Sequence, residues 1–394
     1  MKSVFIASAS RTPIGKFGGS FSQMTAVDLG VVAVQSALER AGVRADEVDE
    51  VIIGQARQAG SGPNPARQVG FRSGVPEQAP AYTVNKACGS GLKSMILGYQ
   101  EILLGHANIV VAGGMESMSR VPYLVEGARW GLRLGHQPFV DGMYRDGFFC
   151  PLADMVMGET AENLARIHEI TREEQDEFAV RSQNRAAEAS NAGRFRDELA
   201  PVTIPKRKGE SVVIDVDEHI RFDASTDGLE KLRPVFSKGG TVTAGNSSGI
   251  TDGAAATVLV SEEELNRRNL QPLGRIVDYA VAGVDPKVMG IGPVPAIGKL
   301  LARTGLSLED FDLIELNEAF AAQVLACLRE VPMDPARLNV NGGAIALGHP
   351  IGCTGTRITT TLLHELRRRN GKYGLVTLCI SGGMGIALAV EAVS

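Results

Sequence analysis

Short apolar runs rich in β-branched residues, at 3–7, 50–54, 108–114 and 255–260, alternate with stretches whose apolar positions recur every three to four residues. The first kind reads as a strand and the second as an amphipathic helix. Their alternation predicts an α/β protein with a mostly parallel sheet covered on both faces. The first helix has marked ends, a capping-box pattern at Thr25 and Asp28 and a closing Gly42. After residue 271 the alternation returns, with strands expected at 274–283, 311–317 and 374–380 and a helix over 353–371 that stops at Gly371.

The two series look like copies of each other. The run 46-DEVDEVIIGQ-55 parallels 309-EDFDLIELNE-318, the helix after residues 88–91 parallels the helix after 352-GCTG-355, and 109-IVVAGGMES-117 parallels 376-VTLCISGGMG-385. Duplication on this scale predicts two similar halves meeting across a pseudo-twofold axis, with their loops converging on one site. The expected units are 1–120 plus 250–270, then 271–394, with an insertion over 121–249. That insertion holds the only tryptophan, Trp130, the pair Phe148 and Phe149, and a polar helix running from Thr171 to Gly193. An insertion of this length in a regular scaffold reads as a lid, or as an arm used in oligomerisation.

A chain of 394 residues with 44% hydrophobic content can bury two sizeable cores. The formal charge of -5, with scattered basic residues, argues against nucleic acid or an anionic membrane as partner. The apolar runs are too short to span a bilayer, and the expectation is a soluble protein. Five widely spaced cysteines, with no zinc-type pairing and no secretory pattern at the first residues, point to a reducing compartment, with the cytoplasm as default.

Candidate chemistry sits in glycine-rich turns. Cys88 precedes Gly89-Ser90-Gly91 and opens an apolar helix, where the helix dipole and free N–H groups favour a thiolate and can hold an oxyanion. Such a cysteine is otherwise a small buried hydrophobe. His349 lies in 341-NGGAIALGHPIGCTG-355, opposite Cys88 in the repeat register, where an imidazole can take the thiol proton. Asn317 stands where a strand passes into a helix, either as a plain N-cap or as an amide aimed at an oxyanion or a water. Cys379 precedes 381-SGGMG-385, a loop that a substrate can approach closely.

Together, N-x-x-C-G-S-G at Asn85 to Gly91, Asn317-Glu-Ala-Phe320, the run 341–355 and 379-CISGGMG-385 resemble the thiolase family of acetyl-CoA acetyltransferases and 3-ketoacyl-CoA thiolases. The resemblance extends through 11-RTPIGKFGG-19, 157-MGETAEN-163 and 243-TAGNSSGITDGAAA-256. It implies a duplicated thiolase-like α/β fold and reversible condensation of acyl-CoA thioesters through an acyl-cysteine. Cys88 would be the nucleophile, His349 its activator and Cys379 the proton shuttle. His349 with a water on Asn317 would form one oxyanion hole, and the backbone N–H groups of Cys88 and Ser381 the other. Many relatives carry glycine where this chain has Ser381, and serine is tolerated there if its φ is negative. Coenzyme A would contact Ser248, with Ala244 and Met157 nearby, and Arg221 at the nucleotide end; the run 206-KRK-208 is a further basic candidate. Met289 and Phe148 would close the acyl pocket.

Short-chain relatives usually have histidine where this chain has Val156, which leaves room for a longer or branched acyl group; the broader degradative thiolase is the alternative. A ketoacyl synthase would use two histidines and lack Cys379, and a noncatalytic lipid carrier would have lost site residues. The resemblance also implies coenzyme A as a substrate, no tightly bound cofactor, no metal, and a homodimer or homotetramer.

Overall fold

The structure, a computed structural model, describes residues 3–206 and 209–393. The first half contributes β1 (Val4–Arg11), helix α1 (Ala26–Ala41), β2 (Glu50–Gly54), β3 (Ala81–Val84), helix α2 (Ser90–Leu104), β4 (Ile109–Ser117) and, after the insertion, β5 (Thr251–Ser261). The insertion carries α3 (Met157–Ile167) and α4 (Arg172–Asn191). The second half supplies β6 (Gly274–Gly283), α5 (Pro293–Thr304), β7 (Leu313–Leu316), α6 (Ala321–Glu330), α7 (Thr354–Arg369), β8 (Tyr373–Ile380) and β9 (Met384–Ala392).

These strands form one sheet in the order β7-β8-β9-β6-β1-β5-β4-β2-β3. The first half runs β3-β2-β4-β5-β1. The second repeats it as β7-β8-β9-β6, with Leu338, bridged in parallel to Ile314, at the place corresponding to β3. The duplication read from the sequence is therefore present in the topology. The halves join through β1 and β6, by Phe5 opposite Arg275 and Ile6 opposite Gly274.

The expectation of a mostly parallel sheet is corrected. Only β2–β3, β2–β4 and β7–β8 pair in parallel, and the other pairings are antiparallel. The β8–β9 turn is too short for a crossover and forces an antiparallel return. Helices cover both faces, so the central strands β4 and β5 are buried along nearly their whole length although they pair antiparallel.

Helix ends follow local chemistry. Thr25 and Asp28 make the capping box of α1, and Gly42 ends it at φ 64°. Thr171 and Glu174 do the same for α4. Helix α7 stops one residue earlier than expected, at Asn370 with φ 53°, because asparagine also tolerates the left-handed region.

One apolar core lies between α1 and the first half of the sheet, and another between α5, α6 and the second half. Between them a third core joins Leu92, Met95 and Ile96 of α2 to Ile358, Leu362 and Leu366 of α7. Two glycines let α2 and α7 touch. A Cβ on Gly91 would meet the Gly352 carbonyl at 2.9 Å, and one on Gly355 would meet the Leu92 Cβ at 2.6 Å. The Thr356 hydroxyl donates to the Gly91 carbonyl across the same crossing at 3.0 Å. This contact brings the N-terminal ends of both helices to one place, and Cys88 and His349 with them.

Candidate active site

Cys88 follows Ala87, a non-glycine residue at φ 46°. Such backbone costs on the order of 1–3 kcal/mol and persists only where the surroundings hold it. Here the Ala87 N–H donates to the Asn85 Oδ1 at 3.0 Å, the Lys86 N–H to the Ser90 Oγ at 2.8 Å, and the Ser90 hydroxyl to the Ala87 carbonyl at 2.7 Å. The backbone N–H groups of Ser381 and of Cys88 itself lie near the sulfur and favour its thiolate. Burial nevertheless pushes its thiol up from the ordinary value, and the two N–H groups and Arg57 offset that only in part. The expected thiolate is thus corrected: Cys88 is 9% exposed, and its sulfur rests as a thiol that needs a base.

Cys379, at the end of β8, is fully buried. Burial pushes its thiol far up, and the neighbouring Cys88 sulfur and Cys327 add to the push. The chain beside Cys88 packs on the chain beside Cys379, where a Cβ on Gly89 would lie 2.6 Å from the Ile380 Cδ1. Glycines at 382 and 383 take the turn's positive φ values of 86° and 84°, and Ser381 is not among the positive-φ residues. Serine is unstrained there.

His349 has the geometry of a base. Its Nδ1 lies 2.6 Å from the Thr354 Oγ1, and the Thr354 hydroxyl donates to the Pro350 carbonyl at 2.9 Å. With its one proton committed, Thr354 can only accept, so Nδ1 carries the imidazole proton and Nε2 the lone pair. Nε2 is buried without a partner among the described residues. Burial, with Arg357 and Arg57 adding, lowers His349 from 6.5 to about 3, so the ring is neutral at physiological pH. Gly348, at φ 101°, aims the residue; a Cβ there would collide with Thr251.

Asn317 is 2% exposed, and neither its Oδ1 nor its Nδ2 has a partner among the described residues. The N-cap reading fails, since α6 starts at Ala321 with Phe320 as N-cap. An amide with both ends unspent is rare in a buried position.

Several residues that the sequence reading missed hold this arrangement. The Glu116 carboxylate accepts the N–H groups of Ala56 and Arg57, at 3.1 and 3.0 Å, and that of Gly352 at 2.9 Å, tying a first-half loop to the His349 loop. Glu318 accepts from Ser182 at 2.6 Å, Asn339 at 2.9 Å and the Ile345 N–H at 3.2 Å, and so fixes the Asn317 turn to the glycine-rich run. The signal was present for both: an acid within a buried strand, or beside a buried asparagine. Thr354 and His219 carried no such signal. The His219 Nδ1 lies 3.1 Å from the Ala346 carbonyl, and its ring packs on Gly249, whose carbonyl accepts the His349 N–H at 3.2 Å.

The substrate candidates divide into three places. Met157 and Met289 pack with Phe320, Phe236 and Cys379 in one apolar cluster that also takes Leu164 of the insertion. Phe148 packs instead with Cys88, Met118 and Met143. Arg221 and Ala244 line a cleft of about 200 Å³ with Ser225, Leu229 and Leu232. Ser248 lies apart from that lining, its N–H bonded to the Ala319 carbonyl at 3.0 Å. Val156 caps α3 through its N–H to the Glu159 carboxylate at 2.7 Å. Of the basic run 206–208, Arg207 and Lys208 lie outside the described residues.

Two family profiles cover almost the whole chain, the thiolase N-terminal domain over residues 4–263 and the thiolase C-terminal domain over residues 270–392. This chain belongs to the thiolase family. Among its relatives, the acetyl-CoA acetyltransferase of Cupriavidus necator is 53% identical over 391 residues, covering 99% of this chain and 100% of that protein. The Pseudomonas aeruginosa acetyl-CoA acetyltransferase is 53% identical over 390 residues, 99% of each. Among solved structures, Bacillus anthracis acetyl-CoA acetyltransferase superposes with a TM-score of 0.97 at 49% identity, over 100% of this chain and 99% of that one. Human mitochondrial 3-ketoacyl-CoA thiolase in complex with CoA does so with 0.96 at 47%, over 100% and 98%. The duplicated thiolase fold and the assignment as an acyltransferase hold. Among the described residues, no helix is long and apolar enough to cross a membrane, and no group of three or more His, Cys, Asp or Glu side chains is placed to hold a metal ion.

Proposed function

We propose that this thiolase interconverts two acetyl-CoA with acetoacetyl-CoA and free coenzyme A, through an acetyl thioester on Cys88. The observation that carries this reading is the contact between the halves beside the two thiols: a Cβ on Gly89 would lie 2.6 Å from the Ile380 Cδ1, so the residues next to Cys88 and Cys379 pack against each other.

The cycle closes on protons already present. The His349 Nε2 takes the Cys88 proton as the sulfur attacks the first thioester. The departing coenzyme A thiolate takes the proton of Cys379, whose raised affinity makes the resulting thiolate a strong base. That thiolate removes an α-proton from the second acetyl-CoA. The carbanion attacks the Cys88 thioester, and the released Cys88 sulfur regains the proton held on His349. The N–H groups of Cys88 and Ser381 suit the oxyanion on the Cys88 acyl group, and Asn317 with protonated His349 suits the other. Losing one such donor costs on the order of 10²–10³ in rate.

The acetyl-CoA acetyltransferase relatives and the apolar wall of Met289 and Phe320 support a short acyl chain. Coenzyme A enters as substrate, with its nucleotide toward Arg221 and Ala244 and its pantetheine past Ser248. The enzyme works as a cytoplasmic homo-oligomer, dimer or tetramer, without a resident cofactor. Comparing kcat/KM in thiolysis of acetoacetyl-CoA, 3-ketohexanoyl-CoA and 2-methylacetoacetyl-CoA tests the substrate: acetoacetyl-CoA is expected to lead by at least about tenfold. Equal or better use of the longer chain would favour the degradative alternative.

A further inference from the structure

A cleft of about 550 Å³, lined by neither Cys88 nor Cys379, opens where the two halves meet. It is lined by β1 residues Ala7, Ser8 and Ala9, by Leu273 of the inter-half link, and by Arg40, Arg196, His364, Arg367 and Arg368, with Asp197 as the one acid. Four guanidinium groups line it with one carboxylate, in a chain of formal charge -5, while Glu198 and Glu39 also act on Arg40. The charge of two of them, Arg196 and Arg367, is unspent. The Arg40 side chain donates to the backbone carbonyls of Asp197 and Leu199 rather than to a carboxylate. Arg196 and Arg367 make no side-chain hydrogen bond or ion pair among the described residues. Arg368 is neutralised by Glu365, and Arg40 is partly offset by Asp197, Glu198 and Glu39.

The cleft is separate from the catalytic site. Helix α7 starts at Thr354, the partner of His349, and His364 to Arg368 stand 10 to 14 residues further on. At about 1.5 Å per residue this puts them roughly 15–21 Å away along the helix. The cleft also shares no residue with the one containing Arg221. The His364 Nε2 meets the Ala9 carbonyl of β1 at 3.1 Å, so the floor is braced by the helix that carries the catalytic turn at its other end.

Guanidinium forks pair in bidentate fashion with phosphate oxygens, and the volume falls in the range of small-molecule sites. We propose that this cleft is a second, noncatalytic binding site for a small phosphoanion, the diphosphate of a nucleotide or inorganic pyrophosphate, held by Arg40, Arg196 and Arg367.

Isothermal titration of the full chain with inorganic pyrophosphate, and separately with ADP, tests it. The variants are the double charge reversal Arg196→Glu/Arg367→Glu and, to isolate the proposed coenzyme A cleft, Arg221→Glu. The expected result is one pyrophosphate site that weakens at least tenfold in the double variant, persists in Arg221→Glu and weakens with added salt. Tighter binding of ADP through the same arginines identifies a nucleotide, and equal binding identifies the inorganic anion; either upholds the site. Neither arginine makes an internal bond, so thiolysis of acetoacetyl-CoA without added anion and the melting temperature should be unchanged in the double variant. Absence of pyrophosphate binding at millimolar concentration, or loss of binding only in Arg221→Glu, overturns the proposal.

Discussion

Thr354, through its hydroxyl at the His349 Nδ1, decides which nitrogen of that ring is basic. Replacing it by valine keeps the shape and removes the oxygen that accepts the Nδ1 proton at 2.6 Å. A buried N–H left without an acceptor costs about 1–3 kcal/mol. The ring can avoid that cost only by moving its proton to Nε2, which leaves no lone pair for the Cys88 proton. Either way acylation of Cys88 should slow by roughly 5- to 150-fold, since each 1.36 kcal/mol is about a factor of ten. Rapid-quench measurement of enzyme-bound acetyl label from acetyl-CoA reads this step directly. Thr354→Ser retains the hydroxyl, the bond to His349 and the bond to the Pro350 carbonyl, and should acylate within a few-fold of the parent. Equal rates for Thr354→Val and the parent, or an equal loss in Thr354→Ser, would refute the tautomer argument.

Other expectations follow from the same geometry. Because His349 is held neutral down to about 3 while the unfolded residue protonates near 6.5, folding stability should fall as pH drops from about 6.5, at up to about 1.4 kcal/mol per pH unit from this group. His349→Asn should flatten that slope in denaturant titrations at pH 4 to 7, and an unchanged slope would count against a buried neutral ring. Gly348→Ala forces a Cβ onto Thr251 at a left-handed φ of 101°; kcat should fall more than thermal stability does, and an active variant would show that the turn does not aim His349. Glu116→Ala frees three loop N–H groups and should lower the melting temperature as well as the acylation rate, whereas a purely kinetic effect would place its role elsewhere. Met289→Ala opens the cluster around Cys379 and should raise the kcat/KM ratio of 3-ketohexanoyl-CoA to acetoacetyl-CoA by about tenfold or more; no change would mean that another residue limits chain length.

Much of this site was legible because the chain marks it with small residues. Glycines at 89 and 91, 342 and 343, 348, and 382 and 383 stand where backbones approach closely or φ is positive, and each group flags Cys88, His349 or Cys379. The repeat was legible because equivalent strands carry equivalent turns. Strand direction was not, since burial on both faces erases the period that would separate parallel from antiparallel pairing. Nor was the state of the Cys88 thiol: a helix N-terminus is visible in sequence, while the burial that outweighs it arises from residues as distant as Met118, Met143 and Ile351. Thr354 looked like an ordinary helix residue, because its partner matters only once the ring of His349 is placed.

The central claim is that Cys88 carries the acyl group and Cys379 only moves protons. Peptide mass spectrometry of the Cys379→Ser variant after brief exposure to acetyl-CoA tests it most directly. An acetyl group is expected to accumulate on the peptide that contains Cys88, because acylation proceeds while condensation stalls. An acetyl group on Cys150, Cys327 or Cys353 instead, or none on Cys88 while coenzyme A still binds, would contradict it.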